Sequence, residues 1–159
     1  MGIPTPTPTM AAIETLLPHA APMILLDRVL QVSQETLLAE VEIRPESLFQ
    51  SGTGVGAWVG IEYMAQAIAA WAGYQARERG EEVKIGFLLG SRRYSCALPE
   101  FATGMRLGVS VQLLLQAENG LGSFYCSIID LHTQQELAQA SVSVFQPHDV
   151  SHYLQEGMA

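Results

Sequence analysis

Charged residues are scarce in this sequence, and this scarcity already excludes several kinds of protein. Only 15% of the 159 residues are charged, against 48% that are apolar, whereas about 25% charged residues is typical of soluble domains. The sequence contains eight lysines and arginines and 16 aspartates and glutamates, which gives a net charge of −8. This charge excludes a general surface for nucleic acids or anionic membranes. Because so few charges cover the surface, we expect part of it to be buried against a second subunit.

Cysteine and long hydrophobic runs are also lacking. Cys96 and Cys126 are too few for a disulfide scaffold and show no CxxC spacing. The longest mostly apolar run, residues 57–72, is shorter than a membrane span and contains Glu62 and Gln66. The four histidines have no spacing typical of a zinc site. We therefore expect a reduced cytoplasmic protein with no membrane span, no metal and no other cofactor.

The patterning that is present predicts one domain behind a short tail. Residues 1–10 are rich in proline and threonine, which is typical of a flexible extended segment, and residues 11–159 are predicted to form a single domain. Apolar patterning predicts strands at 24–32, 36–44, 83–94, 105–117, 121–131 and 136–145. Residues 12–18 predict a short helix, and residues 57–79 predict a long helix that ends at Gly80.

The long predicted helix is apolar on every side over its first four turns, which is typical of a helix enclosed by protein. A long twisted sheet in turn needs an element to cover its concave face. Helix and strands together predict an α+β protein of the hotdog fold, in which one antiparallel sheet wraps around a central helix. Subunits with this fold usually pair edge to edge into a continuous sheet.

Glu62 and Gln66 are the candidate catalytic residues. They are the strongly polar side chains within the apolar run 57–72, and their spacing of four places them on one helix face. An unpaired carboxylate in such surroundings is costly, so its pKa would rise toward the range that a general acid needs. The alternative is a structural acid that bonds Gln66 or a backbone group and only fixes the helix.

A glycine-rich segment, residues 52–56, precedes the long helix. Free backbone N–H groups at a helix start can polarise a carbonyl oxygen, which makes Gly54, Gly56 and Ala57 candidate substrate-binding residues. The alternative is an ordinary turn. The segment lacks the lysine of a Walker loop and the flanking elements of a dinucleotide-binding motif.

Five of the eight basic residues lie between positions 77 and 93. On an acidic protein this group can attract an acidic carrier or a phosphate-bearing tail. The alternative is an ordinary solvated helix end and strand edge. The candidate carrier-docking residues are Arg77, Arg79, Lys84, Arg92 and Arg93.

Two motifs resemble those of the FabA/FabZ-like 3-hydroxyacyl-carrier-protein dehydratases. The sequence IETLLPH at 13–19, with LDRV at 26–29, resembles the opening motif of that family, and EYMAQA at 62–67 resembles its central-helix motif. GIEYMAQ at 60–66, together with IGFLLGSR at 85–92, resembles more closely the dehydratase-like branch associated with aryl-polyene lipid synthesis.

The resemblance implies a reaction and roles for several residues. In this family a histidine removes the α-proton of a 3-hydroxyacyl thioester, and a helix acid from the partner subunit protonates the departing hydroxyl. By resemblance Glu62 is that acid, Gln66 orients it, and Gly56 and Ala57 bind the thioester oxygen. Further candidate substrate contacts are Phe87 and Leu88.

The resemblance fails at the catalytic histidine. Where the family has Gly-His-Phe-Pro, this chain has Ser-Gly-Thr-Gly at 51–54, and His19 belongs to the opening motif. Loss of a general base typically costs about 10²–10⁴ in rate. Three hypotheses follow: a dehydratase with an altered catalytic set, a non-catalytic subunit that pairs with an active hotdog dehydratase, and an acyl thioesterase. Homodimer and heterodimer, and acyl carrier protein and acyl-CoA, all stay open.

Overall fold

The computed structural model describes residues 13–16, 23–82 and 87–146. The predicted tail at 1–10, and the last residues of the predicted domain, lie outside these ranges. Along the described chain the elements are α1 (Ile13–Leu16), β1 (Arg28–Val32), β2 (Thr36–Glu42), β3 (Gln50–Ser51), β4 (Gly54–Gly56), α2 (Gly60–Glu78), β5 (Phe87–Cys96), β6 (Glu100–Ala102), β7 (Arg106–Gln116), β8 (Leu121–Asp130) and β9 (Glu136–Phe145).

Six strands form the main sheet, in the order β1-β2-β7-β8-β9-β5, and every neighbouring pair is antiparallel. The strands predicted at 105–117, 121–131 and 136–145 are confirmed to within a residue or so at either end. The first strand begins at Arg28 instead of residue 24, because the preceding segment bonds a helix side chain. The beginning of the strand predicted at 83–94 lies outside the described residues.

The long helix α2 follows a 3₁₀ turn at Ala57–Val59 and contacts β2, β5, β7, β8 and β9. Its buried side chains form one core with the inward side chains of the sheet. Gly80, at φ +71°, ends the helix as predicted. The N–H of Glu81 donates to the carbonyl of Ala76, and the N–H of Gly80 donates to the carbonyl of Arg77. These hydrogen bonds satisfy two carbonyl groups of the last helical turn.

A second sheet of three short strands, β3-β4-β6, was not predicted. Its strands have two or three residues each, too few for an alternation of polar and apolar side chains to appear. The sheet includes the glycine-rich segment and carries the chain directly into the start of α2.

Within the ranges that the structure describes, no helix is long and apolar enough to cross a membrane.

Candidate functional site

Glu62 lies on a stripe of α2 that the rest of the chain leaves partly uncovered. The residues of this stripe follow one another at alternating spacings of four and three positions, which places them along one side of the helix. In the single chain the sheet encloses most of the helix, as expected, and leaves this side partly open. The uncovered stripe consists of Trp58, in the 3₁₀ turn that precedes α2, and of Glu62, Ala65, Ala69 and Ala72.

The carboxylate of Glu62 is half-buried, and within the described part of the chain it has no hydrogen-bond or ion-pair partner. The deeply buried acid expected from the apolar run is thus found at a partly open position. The neighbouring turn of the uncovered stripe, at Ala65, offers no polar side chain.

Gln66 has a different task from the one expected. Its side chain is fully buried; Oε1 accepts the N–H of Leu25 at 2.8 Å, and Nε2 donates to the carbonyl of Met23 at 2.7 Å. Four residues turn a helix by about 40° beyond a full circle, and Gln66 points toward the 23–25 segment instead of toward Glu62. Gln66 fastens that segment to α2, and the expected orienting contact with Glu62 is not formed.

The glycine-rich segment lies in the small sheet, where Gly54 stands opposite Ala102 and Gly56 opposite Glu100. The N–H of Ala57 donates to the carbonyl of Pro99 at 3.0 Å. In this structure a strand connection thus occupies the Ala57 donor, and the predicted thioester contact of Gly54, Gly56 and Ala57 stays a prediction.

Tyr94 was not singled out from the sequence, and it fixes the start of α2. Its hydroxyl donates to the carbonyl of Ala57, and it occupies the space where a side chain at Gly60 would begin. Arg93, at φ +57°, lies in an irregularity of β5 between Arg92 and Ser95. Burial raises the pKa of Tyr94, so the hydroxyl stays protonated and keeps donating.

Exposed aromatic side chains lie beside this helix start. Trp58 is 67% exposed and Phe49 41% exposed, and their rings meet edge to face with centroids 5.5 Å apart. Exposed apolar groups of this kind mark surfaces that another molecule covers. Trp58 begins the uncovered stripe, so the apolar exposure continues along α2 past Glu62.

The strand β5 is the edge of the main sheet. Among the described strands it pairs only with β9, and its other edge is free along 10 residues. A long unpaired edge is a template for pairing with another chain. Phe87 and Leu88, the further candidate substrate contacts, belong to this strand.

The candidate carrier-docking residues do not form one free cluster in the described chain. Arg79 pairs with Glu81 at 3.2 Å at the end of α2, whereas Arg92 and Arg93 are exposed in the middle of β5. Arg77 is exposed in the last turn of α2, and Lys84 lies outside the described residues.

No group of acidic, histidine or cysteine side chains within the described ranges is arranged to hold a metal ion. Among the four histidines, the structure describes His132, which is exposed in the turn after β8. No described histidine is recorded as a partner of Glu62.

Comparison with known proteins identifies the family and the fold. A family model described as ApeP-like, ApeP dehydratase, matches residues 11–155. The dehydratase heterocomplex ApeI:P from Xenorhabdus doucetiae is 34% identical, with a TM-score of 0.83, and the match covers 90% of this chain and 95% of that chain. Among curated proteins, none matches this chain.

More distant structures share the fold alone. AziG from S. sahachiroi is 12% identical with a TM-score of 0.58, and the match covers 75% of this chain and 89% of that chain. PaaI from E. coli is 13% identical with a TM-score of 0.58, over 74% of this chain and 80% of that chain. Together with the antiparallel sheet and the central helix, these matches confirm the predicted α+β hotdog fold.

Proposed function

Because this chain belongs to the ApeP-like dehydratase family, we propose that it is one subunit of a two-subunit hotdog dehydratase of aryl-polyene-type lipid synthesis. It supplies Glu62 to an active site that the other subunit completes. The observation that carries this proposal is the position of Glu62, half-buried and without a partner on the uncovered stripe of α2.

A second hotdog subunit would cover both exposed features of this chain. Pairing along the free edge of β5 makes a continuous sheet, and the uncovered stripe then faces the partner. The related ApeI:P structure is a heterocomplex, which supports a partner of different sequence over a second copy of this chain.

A heterodimer also accounts for the missing histidine. In dehydratases of this type, the base and the acid of one site come from different subunits. This chain has Glu62 but no histidine at 51–54. A complete site therefore forms where Glu62 meets the histidine of the other subunit, and the reciprocal site lacks its base. The heterodimer has one working site.

At that site the two groups act in one elimination. The partner's histidine removes the α-proton, the carbon–oxygen bond breaks, and protonated Glu62 gives its proton to the departing hydroxyl, so that water and a 2,3-unsaturated thioester form.

The acyl group would arrive on acyl carrier protein or coenzyme A. Arg92 and Arg93 are exposed on β5, and their charge suits an acidic carrier or a phosphate-bearing tail. Both carriers belong to the cytoplasm, where we place the protein.

The test is an assay for dehydration of a 3-hydroxyacyl carrier thioester, in which the loss of water is detected as a change in the mass of the acyl group. The chain is assayed alone and together with the histidine-bearing hotdog subunit of the same organism. We expect loss of water only from the complex, and a decrease of about 10²–10⁴ in the Glu62→Gln complex. Glu78→Gln, an exposed acid at the far end of α2, is the matched control and keeps full activity.

Two outcomes contradict the proposal. Dehydration by the isolated chain would mean that no partner base is needed, and full activity of the Glu62→Gln complex would remove the acid from the mechanism. Release of free thiol with loss of the whole acyl group would instead establish a thioesterase.

A further inference from the structure

A cavity of about 260 Å³ lies between α2 and the segments around β1 and β2. Tyr63, the residue after Glu62, contributes the helix side of its wall. Ligand sites for whole small molecules usually measure about 300–1,000 Å³. This cavity therefore suits a fragment, such as the end of a chain or a single ring.

The hydroxyl of Tyr63 is the unused donor of this cavity. Tyr63 is only 2% exposed and its ring packs against Phe101, yet its hydroxyl has no hydrogen-bond partner in the described chain. It is also not sealed from water, so it opens into the cavity that Tyr63 lines. Burial, with the nearby charge of Asp27, raises the pKa of Tyr63, and the hydroxyl therefore offers a hydrogen to an acceptor.

Three charged groups of the wall, Asp27, Glu42 and Arg44, are already bonded to one another. Arg44 pairs with Asp27 at 2.8 Å and with Glu42 at 2.7 Å, and the other oxygen of Asp27 accepts the N–H of Glu42 at 2.6 Å. Asp27, Glu42 and Glu46 also outnumber Arg44 along the wall. This excess of negative charge repels carboxylates and phosphates.

The rest of the wall consists of Ser47, whose hydroxyl is bonded to the backbone of Arg44 and Glu42, and of four apolar residues, Ile24, Leu25, Val41 and Leu48. We propose that the cavity binds the neutral, oxygen-bearing end of an apolar chain or ring, whose oxygen accepts a hydrogen bond from Tyr63. A hydroxyl or a carbonyl oxygen fits this description, and a carboxylate does not.

We assign this ligand to the acyl group of the substrate, and this assignment rests on the proposed function. Tyr63 follows Glu62 in α2, and Leu25 of the wall is bonded to Gln66 one turn further on. The cavity thus adjoins the part of the helix that carries the acid. The end of the acyl group remote from the thioester would occupy it.

Binding of hexan-1-ol and of hexanoate to the full chain, measured by ligand-observed NMR, tests the cavity without any need for turnover. We expect hexan-1-ol to bind, hexanoate to bind at least about tenfold more weakly, and Tyr63→Phe to weaken hexan-1-ol about three- to tenfold, the effect of one hydrogen bond. Tyr74→Phe, on the same helix but outside the wall, leaves binding unchanged. Equal binding of hexanoate, or no effect of Tyr63→Phe, would overturn the proposal.

Two further measurements complete the test. Leu48→Trp, which fills the cavity from its half-buried wall, is expected to abolish hexan-1-ol binding; unchanged binding would place the alcohol elsewhere. Acyl thioesters with and without a hydroxyl on the last carbon then address the substrate. We expect a three- to tenfold preference for the hydroxyl in the wild-type chain and none in Tyr63→Phe. Hexan-1-ol binding without this preference would overturn the assignment of the cavity to the acyl group. The proposed dehydratase function is tested by the dehydration assay with the complex and does not depend on this result.

Discussion

Glu62 and Gln66 are one helical turn apart, yet they have different surroundings and different tasks. Glu62 faces outward along the uncovered stripe, whereas Gln66 is fully buried and fastens the 23–25 segment. Their positions were predictable, because polar side chains stand out in an apolar run. Their tasks were not, because the bonds of Gln66 reach residues more than 40 positions away along the chain.

Gln66→Met is expected to lower the free energy of unfolding by about 2–4 kcal/mol. The substitution keeps the volume but leaves the N–H of Leu25 and the carbonyl of Met23 without their partners. Urea unfolding measures the loss. Gln75→Met is the control: it removes one bond, to the carbonyl of Ser33, and should cost about 1 kcal/mol. Equal losses in the two variants would contradict the fastening role.

The lowered pKa of Glu40 in the folded chain predicts how the free energy of unfolding depends on pH. It is 2% exposed and receives two hydrogen bonds from Arg106, at 2.9 and 3.1 Å. The Arg106 hydrogen bond lowers the pKa of Glu40 below its ordinary value of 4.5; burial opposes this effect and the charge of Arg28 adds to it. A lowered pKa gives stability that is fully present above the ordinary value and is lost as pH falls through the folded-state pKa.

The free energy of unfolding is therefore expected to fall between pH 7 and pH 3, and to fall less in Glu40→Gln. Urea unfolding at both pH values measures the difference. Glu136→Gln, at an exposed position, should keep the wild-type slope. A Glu40→Gln slope as steep as that of the wild type would show that this pair does not set the acid sensitivity.

Tyr63 and Tyr94 were missed because nothing in the local pattern marks them. Tyr94 meets Ala57 across 37 residues, and it does so through an irregularity in β5 that no apolar alternation predicts. Tyr63 belongs to the matched motif, but the sequence does not show that its hydroxyl is unpaired, because the cavity beside it forms only in the folded chain. Contacts between distant segments decide both roles.

The close approach of β5 to α2 at Gly60 is testable with paired substitutions. A Cβ at residue 60 would overlap the hydroxyl of Tyr94 and lie 3.0 Å from Ile128. Gly60→Ala is expected to destabilise the fold by about 1–3 kcal/mol, and Tyr94→Phe in that background should recover part of the loss. Gly73→Ala meets the backbone of Leu16 instead, so Tyr94→Phe should not rescue it. Additive effects at residues 60 and 94 would contradict the direct contact.

Among the larger elements, the main strands and the long helix were predictable because each repeats its pattern over many residues. The small sheet β3-β4-β6 was not, and its absence from the prediction had a consequence at the site. A glycine-rich loop with free N–H groups was expected, but the segment lies in short strands and the N–H of Ala57 donates to the carbonyl of Pro99. The short strands thus engage one of the donors expected to be free at the start of α2.

The uncovered stripe of α2 predicts a subunit interface. Ala69→Arg places a charge on the stripe, where the side chain is only partly buried, and is expected to reduce subunit pairing at least tenfold while the chain stays folded. Sedimentation equilibrium measures the pairing and circular dichroism the fold. Ala102→Arg, at an exposed position in the small sheet, should pair normally. Unchanged pairing in Ala69→Arg would mean that the partner covers another surface.

For the molecule as a whole, the low charge content, the free edge of β5 and the uncovered stripe have one explanation. The chain has the family's hotdog fold, and the second subunit that we propose would cover the side on which Glu62 lies. The sequence alone left three functions open, because the missing histidine is compatible with each of them. The family and the geometry of Glu62 together favour a shared active site.

The central claim is that Glu62 and the histidine of another subunit form one site, and a titration tests it most directly. Increasing amounts of this chain are added to a fixed amount of the histidine-bearing hotdog subunit, and water loss from a 3-hydroxyacyl carrier thioester is followed by mass. The account predicts that the rate rises to a plateau at equimolar protein, and that the Glu62→Gln chain forms the complex but gives no rise. Full activity of the histidine-bearing subunit by itself, or an equal rise with Glu62→Gln, would contradict it.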